Sequence, residues 1–227
     1  MRHALVLGLT ASLITLAPSA PVPPRDERKE QEQALEVIKK LGGEVLFDYQ
    51  QADPTKPNVF DPKATPERPD AFHRVVQVGL RKTKVTNDDL TVLRLLPHLK
   101  NVDLSETQIT SKGLAHLSSL KDLRVLALWK THVDDEGLAH LKGLTKLWQL
   151  ILDETKITDE GLQHLKDLTE LEEWLGLAGT KVTDDGLKNL EKLTKLRSLN
   201  LRQTGVTDQG AKKLRAALPK TNISVGP

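Results

Sequence analysis

Three histidines recur at a fixed interval in this chain of 227 residues. His116, His140 and His164 stand 24 residues apart. Imidazole nitrogens are common zinc ligands, so a row of such rings could hold a metal ion. The residues around each histidine recur at the same interval. The spacing therefore belongs to a sequence repeat, and the elements of that repeat decide whether the rings can meet.

Acidic pairs recur near the histidines, and pairs of this kind can bind calcium or form a carboxylate dyad for acid–base chemistry. The pairs are Asp134 with Asp135, Asp159 with Glu160, and Asp184 with Asp185. No pair has the glycine-centred spacing of a calcium-binding loop. Each pair instead precedes a helical pattern, where acidic side chains stabilise the first turn. We therefore expect the pairs to be structural.

Motifs that carry catalysis are missing from the sequence. The chain has no cysteine, and it contains neither Gly-x-Ser-x-Gly, nor His-Glu-x-x-His, nor a glycine-rich phosphate loop. Lys+Arg 33 against Asp+Glu 31 gives a formal net charge of +2, which does not support nucleic-acid binding by bulk electrostatics. The sequence predicts a protein that is not an enzyme, needs no cofactor and binds no nucleic acid.

The start of the chain has the pattern of an export signal. Positively charged residues precede an apolar run from Ala4 to Leu16, and the small residues APSA follow. This run is shorter than the roughly 20 apolar residues that span a bilayer, so we expect no transmembrane segment. We predict that residues 1–20 are a signal peptide, removed after Ala20 or Ser19, and that the protein is periplasmic, cell-surface or secreted.

Residues 21–72 form a segment of different character. The stretch RDERKEQEQALEVIKKLGG has an apolar face and ends in two glycines, which predicts a helix over residues 27–41. EVLFDY, at 44–49, predicts a short strand. Five prolines in residues 50–72 predict a loop. We interpret this segment as an N-terminal cap and a proline-rich loop, with the helix covering the first repeat.

Residues 73–227 consist of six repeats and a C-terminal cap. The repeats begin at Val75, Leu99, Leu123, Leu147, Glu172 and Leu196, with one residue inserted before the fifth. Apolar residues at the fourth and sixth places have strand spacing. The second half has leucines at helical steps after an Asp, Ser or Asn that suits an N-cap. A Thr at every ninth place offers a hydroxyl to the turn after the strand. A Gly in five of the helical halves predicts close approach of neighbouring repeats.

A strand and a short helix within 24 residues resemble the leucine-rich repeat, whose units have 20–29 residues. The TDxGL half is similar to the cysteine-containing repeats of eukaryotic F-box proteins, but Thr stands at the Cys position here and no F-box precedes the repeats. The chain more closely resembles exported bacterial leucine-rich-repeat proteins of a Thr type, LxxLxLxxTxITDxGLxxL. The resemblance implies a binding scaffold without chemistry of its own.

This resemblance implies an α/β solenoid, right-handed, with a curved parallel sheet inside and short helices outside. Stacked repeats would bury their leucines in one continuous core, and Ile223 and Val225 would help to close its far end. The three histidines would lie on the helical side, where neighbours stand farther apart than the about 4.8 Å between strands. We therefore expect surface histidines and no metal site.

Outward residues of the strands, at the third, fifth and seventh places, are predicted to form the concave face. They are polar in the outer repeats and apolar or aromatic in repeats three to five, a composition typical of a protein-binding patch. The candidate ligand-binding residues are Val125, Trp129, Trp148, Ile151, Asp153, Glu154 and Trp174. Small residues at Gly176, Ala178 and Gly179 would leave a shallow pit beside Trp174. Alternatively, the tryptophans only cover the sheet.

The sequence thus predicts a non-catalytic scaffold that recognises a macromolecule, first of all a protein, on its concave sheet. One alternative is carbohydrate binding, in which Trp148 and Trp174 stack on sugar rings while Asp153 or Glu154 accepts hydrogen bonds from hydroxyls. Another alternative is a purely structural component of the cell envelope.

Overall fold

The structure is a computed structural model that describes residues 25–50 and 72–227. The predicted signal peptide and most of the predicted proline-rich loop lie outside these residues. Eight strands form one sheet in chain order. They are β1 (Glu44–Phe47), β2 (Val75–Gly79), β3 (Asn101–Asp103), β4 (Val125–Ala127), β5 (Gln149–Ile151), β6 (Trp174–Gly176), β7 (Ser198–Arg202) and β8 (Asn222–Gly226).

From β2 onwards, short helices or 3₁₀ segments return the chain from the end of one strand to the start of the next, and one longer helix precedes β1. The α-helices are α1 (Arg25–Lys40), α2 (Ser111–Leu114), α3 (Asp135–Ala139), α4 (Asp159–Leu162) and α5 (Asp208–Ala217). The 3₁₀ segments are Asp48–Gln50, Asp88–Leu95, Ala115–Leu117 and Leu187–Asn189. Within the described residues, no helix is long and apolar enough to cross a membrane.

The six repeats stack in register, as their common spacing predicts. The strands from β2 to β8 run parallel, and Val102 of β3 pairs with Leu126 of β4. The residue inserted before the fifth repeat is absorbed ahead of β6, because Leu150 still pairs with Leu175. The predicted parallel sheet with one strand per repeat is confirmed.

Both ends of the sheet are extended beyond the six repeats. The predicted helix is present as α1, and its Ala34 and Ile38 are buried in the core beside the first repeat. The predicted strand after it is β1, which pairs antiparallel with β2, although it ends at Phe47 and a 3₁₀ turn follows. At the far end β8 adds a further parallel strand, and its Ile223 joins the core.

One hydrophobic core runs through all the repeats, and most of its leucines have no exposed surface. The ninth-place threonines secure the turn after each strand, because every hydroxyl donates to the carbonyl three residues earlier, at 2.6–2.7 Å. These threonines are Thr83, Thr107, Thr131, Thr155, Thr180 and Thr204. The predicted role of the threonine hydroxyl is confirmed.

The recurring acidic residues link each repeat to the next. The carboxylate of Asp135 accepts hydrogen bonds from the Thr158 backbone N–H, at 2.8 Å, and hydroxyl, at 2.6 Å. Asp159 and Asp184 do the same for the following two repeats. These carboxylates bridge repeats, so the prediction that the pairs are structural fits their contacts.

The predicted N-caps need a correction. In α4 and α5 the residue that caps the helix with its side chain is a threonine, Thr158 or Thr207, and not the Asp that follows it. That Asp is already inside the helix: Asp159, for example, opens α4 and bonds to the next repeat instead. At Thr158 and Asp159 two neighbouring side chains thus have separate tasks, capping by the threonine and linking by the aspartate. In α3 the N-cap residue is Asp134, as predicted, although its side chain makes no capping hydrogen bond.

Candidate functional site on the open face of the sheet

The residues at the third, fifth and seventh places of the strands form a face that we call the open face, since the leucines between them point into the core. A depression of about 510 Å³ lies in the middle of this face. We call it the central depression. Its lining residues are Arg81, Asp103, Ser105, Ala127, Trp129, Gln149, Ile151, Asp153, Glu154, Trp174, Ala178, Asn200 and Gln203. Its walls thus come from all six repeats.

Trp129 is held on the open face by charged neighbours. Its indole N–H donates to Glu154 at 3.1 Å, and the guanidinium carbon of Arg81 lies 5.0 Å from the ring centroid. Arg81 is in turn paired with Glu106 at 2.7 Å. The ring is half-buried, so it covers part of the sheet and also offers a surface to a ligand.

Asp153 reaches across two neighbouring strands. Its Oδ1 accepts hydrogen bonds from the Ala178 backbone N–H at 2.9 Å and from Asn200 Nδ2 at 3.1 Å. Burial raises the pKa of the Asp153 carboxyl above its usual value, although these hydrogen bonds oppose the shift. The carboxylate is therefore a partly desolvated acceptor at the side of the central depression.

The predicted pit over β6 is filled in part by this same carboxylate. A Cβ added at Gly176 would lie 1.9 Å from Asp153 Oδ2 and 2.9 Å from the Trp174 indole nitrogen. Gly176 leaves a gap in the row of outward side chains, as predicted, but the side chain of Asp153 occupies that gap. The depression itself extends further, since Ala127 and Ile151 from the two preceding repeats line it together with Trp174 and Ala178.

Of the seven predicted site residues, the depression gathers five. These are Trp129, Ile151, Asp153, Glu154 and Trp174. Val125 and Trp148 do not line it. The Trp148 indole N–H donates to Glu172 at 3.3 Å, at the edge where the strands begin. Trp148 and Trp174, the two tryptophans of the carbohydrate alternative, thus do not line the depression together, and that alternative stays a hypothesis.

Further lining residues were not among the predicted site residues. They include Arg81 and Asp103 from the first two repeats, and Asn200 and Gln203 from the last. The repeat register contained the signal for most of them, because they occupy the fifth, seventh and eighth places. Long side chains extend over neighbouring strands, and the repeat register alone does not predict which strands they contact.

The three recurrent histidines occupy the helical side of the repeats, as predicted. His140 is exposed, while His116 and His164 are half-exposed. Burial, together with the nearby Arg94 guanidinium, lowers the pKa of His116 below its usual value, which favours the neutral ring. Within residues 25–50 and 72–227, no three His, Asp or Glu side chains come together in a way that could hold a metal ion. The absence of a metal site stays a prediction.

Comparison with known proteins gives the same architecture. Residues 96–118 and 192–214 match the family model described as Leucine Rich repeat. The structure is similar to an internalin (inlF) from Listeria monocytogenes, with a TM-score of 0.56 and 25% identity, covering 64% of this chain and 39% of that one. For internalin C2 (inlC2) from the same organism the TM-score is 0.51 and the identity 25%, covering 60% of this chain and 55% of that one. No curated protein matches the sequence.

The chain thus spans between two fifths and a little over half of the length of these two solved structures. Each matched segment begins three or four residues before a repeat and covers most of that repeat, which is the second repeat for one segment and the sixth for the other. Parallel strands, buried leucines and short return helices at a constant interval complete the pattern. The chain is therefore a leucine-rich-repeat protein with an α/β solenoid fold.

Proposed function

We propose that the protein is a non-catalytic scaffold that recognises a macromolecule, first of all a protein, on the open face of its sheet. The central depression is the observation that supports this proposal. It combines half-buried tryptophans and Ile151 with charged groups around them. Interfaces concentrate their binding energy in such aromatic centres surrounded by polar residues. Solenoids of stacked repeats commonly bind through extended surfaces of this kind.

The proposed binding residues are the predicted ones that line the depression: Trp129, Ile151, Asp153, Glu154 and Trp174. The other two predicted residues, Val125 and Trp148, lie outside the depression and are not part of the proposed site. We retain the division into a signal peptide at 1–20, a cap and loop at 21–72 and repeats at 73–227 as part of the same proposal.

A photo-crosslinking experiment tests the binding role. A photoreactive amino acid replaces Ile151 in the depression or, in the control protein, His140 on the helical side. Both proteins are exposed to an extract of the cell envelope, and a captured partner is purified and titrated against the unmodified protein. We expect a partner that crosslinks from position 151 and not from 140, and whose affinity falls on Trp129→Ala. Equal crosslinking from both positions would contradict the proposal.

Carbohydrate binding is the second candidate, because the depression places Trp174 beside the amides of Gln149 and Asn200. Aromatic faces and amide groups are suited to sugar rings and hydroxyls. A glycan array probed with the labelled protein distinguishes the two candidates. Binding to a defined glycan that is lost in Trp174→Ala would favour the carbohydrate, whereas an array without such a signal would favour the protein partner.

Export is proposed from residues 1–20, whose charged start, apolar run and small residues have the order of a signal peptide. Mass spectrometry of protein exported by its native host should show the first ~19 or 20 residues missing. Detection of Met1 on the exported protein would show that this segment is not removed.

A further inference from the structure

The central depression carries uncompensated negative charge. Asp103, Asp153 and Glu154 line it, and Arg81 is the cation among the lining residues. Arg81 is bonded to Glu106, at 2.7 Å, and Glu106 also pairs with Lys82, at 3.6 Å, so Arg81 is directed towards a carboxylate outside the lining. Among the residues that the structure describes, none of the three lining carboxylates takes part in an ion pair. The depression therefore attracts positive charge.

The tryptophans of the depression add a second attraction for cations. Trp129 already holds the Arg81 guanidinium over its ring at 5.0 Å, with the Lys130 ammonium at 5.8 Å. These contacts show that a basic side chain is well placed beside such a ring in this setting. Trp174 lines the same depression, and within the described part of the chain no cation lies over its ring. The side chain is half-buried, so part of its surface is open to a ligand.

Asp153 is the carboxylate whose charged form a bound cation would stabilise most. Its Oδ1 is used by Ala178 and Asn200, whereas Oδ2 receives no hydrogen bond from the described residues. Burial raises the pKa of this carboxyl, which means that its charged form is poorly solvated in the free protein. An ammonium or guanidinium group would relieve this cost by a charge-assisted hydrogen bond.

The floor of the depression suits the stem of a long basic side chain. Ala127 and Ile151 form an apolar surface between Asp103 on one side and Asp153 on the other. Arginine and lysine place their methylene groups along apolar surface while the charged head reaches polar partners. A phosphate-rich ligand would meet three carboxylates instead, which argues against a nucleic acid at this point.

We propose that the central depression receives a basic side chain, arginine or lysine, from a protein partner. The inference rests on the proposed binding function and specifies the partner chemistry at its centre. It assigns Asp153 to the charged head of that side chain, Trp174 to its stacking, and Ala127 with Ile151 to its stem, while Asp103 adds negative charge on the opposite side of the depression.

Nuclear magnetic resonance with small probes tests the inference on the whole chain. ¹⁵N-labelled protein is titrated with N-acetyl-arginine amide, with its neutral analogue N-acetyl-citrulline amide, and with methyl glucoside. The indole N–H signals of Trp129 and Trp174 should shift with arginine, at an affinity about tenfold higher than with citrulline. The Trp148 indole, which bonds to Glu172 outside the depression, is an internal control and should not respond.

Variants identify the carboxylates involved. Asp153→Asn keeps an oxygen for the Ala178 N–H but removes the charge, and we expect it to weaken arginine binding about tenfold. Asp103→Asn serves as a second variant if the first is poorly folded, and Asp167→Asn on the helical side is the matched control. The inference is overturned by equal shifts with citrulline, by an equal response of Trp148, or by shifts with methyl glucoside alone.

Failure of the inference and failure of the proposed function are separable. A crosslinked partner that depends on Trp129, without any response to arginine, would retain the scaffold role and overturn the basic side chain. The absence of any partner that depends on Trp129 would overturn the scaffold role itself, whatever the small probes show.

Discussion

The carboxylate of Asp159 lies where a side chain on residue 186 would have to begin. A Cβ added at Gly186 would be 2.3 Å from Asp159 Oδ1. The carboxylate cannot withdraw freely, because it accepts hydrogen bonds from the Thr183 N–H at 2.7 Å and hydroxyl at 2.6 Å. The recurring glycine thus makes room for the acidic residue of the preceding repeat, which confirms the predicted close approach of neighbouring repeats.

Gly186→Ala should therefore destabilise the protein. Gly186 precedes a 3₁₀ segment with φ −73° and ψ −29°, a conformation that alanine also adopts, but here the added methyl group meets an anchored carboxylate. We expect the free energy of unfolding to fall by roughly 1–3 kcal/mol, as for overpacked sites. Urea denaturation followed by circular dichroism measures the change.

The matched control is Gly143→Ala, because a Cβ there meets only the flexible end of Lys121. We expect a change within about 0.5 kcal/mol, as for an ordinary surface site. If both substitutions had the same effect on the free energy of unfolding, the carboxylate of Asp159 would not be the reason for the glycine at 186.

The ninth-place threonines should contribute through their hydroxyl groups. Thr131 is 3% exposed and its hydroxyl donates to the Leu128 carbonyl at 2.7 Å. Thr131→Val keeps the shape and leaves that carbonyl with one hydrogen bond fewer, so we expect a loss of about 1–3 kcal/mol in the free energy of unfolding. Thr145→Val, at an exposed position, is the control and should be close to neutral. Equal stability of the two variants would show that the side-chain shape, and not the hydroxyl, explains the threonine.

Periodicity alone predicted most of the fold. A constant step between apolar residues determines which strands pair and which side chains enter the core, as the pairing of Val102 with Leu126 shows. The antiparallel β1 and the added β8 lie outside the repeat, so no repeated spacing described their partners. β1 and β8 instead cover core residues of the first and last repeats, which would otherwise be exposed.

The left-handed backbone conformation in the turn after each strand was not predicted. The eighth place of every repeat has a positive φ, between 54° and 66°. These residues are Lys82, Glu106, Lys130, Glu154, Gly179 and Gln203. Glycine normally marks this left-handed conformation, but only the fifth repeat has it. The other five residues are held there by the stacked turns, which is tertiary context that their side-chain types do not reveal.

The candidate site was predicted in part, for a related reason. The position of a residue within the repeat determines whether its side chain faces outward. This rule was enough to predict that Trp129, Ile151 and Trp174 lie on the open face, where they line the depression. It did not show that Asp153 crosses over Gly176 to reach Asn200. Contacts between side chains of different strands depend on rotamers, and the sequence does not determine rotamers residue by residue.

Asp153→Asn should stabilise the free protein at neutral pH. The folded pKa of Asp153 is raised, so the native state binds a proton more readily than the unfolded state does. The charged carboxylate therefore reduces stability above the folded pKa, and this penalty disappears as the pH falls through the folded pKa towards the unfolded one. The gain from Asn should accordingly be present at neutral pH and shrink in acid.

Urea denaturation at several pH values measures this dependence, with Asp167→Asn as a control for charge removal at an exposed site. A stabilisation by Asp153→Asn that stays the same in acid would mean that it does not come from the buried charge. A loss of stability at neutral pH would show that the hydrogen bonds from Ala178 and Asn200 outweigh the cost of burial.

Trp129 should serve binding more than folding, in contrast to Leu150. Leu150 is 0% exposed in the core, and Leu150→Ala should lower the free energy of unfolding by about 2–5 kcal/mol. Trp129 is half-buried on the open face, where its indole N–H bonds to Glu154. Trp129→Ala therefore removes one hydrogen bond and partial burial, and we expect a clearly smaller loss of stability than for Leu150→Ala.

Binding should show the opposite order, because truncation of a tryptophan in the centre of an interface costs over about 2 kcal/mol of affinity. Titration of a purified partner against Trp129→Ala and against the control Trp148→Ala measures this difference, since Trp148 lies outside the depression. Partner addition should also change the fluorescence of the protein, and Trp129→Ala should reduce that change.

If Trp129→Ala unfolds the protein as readily as Leu150→Ala, the ring is part of the core. If it alters neither stability nor affinity, the open face is not where the partner binds.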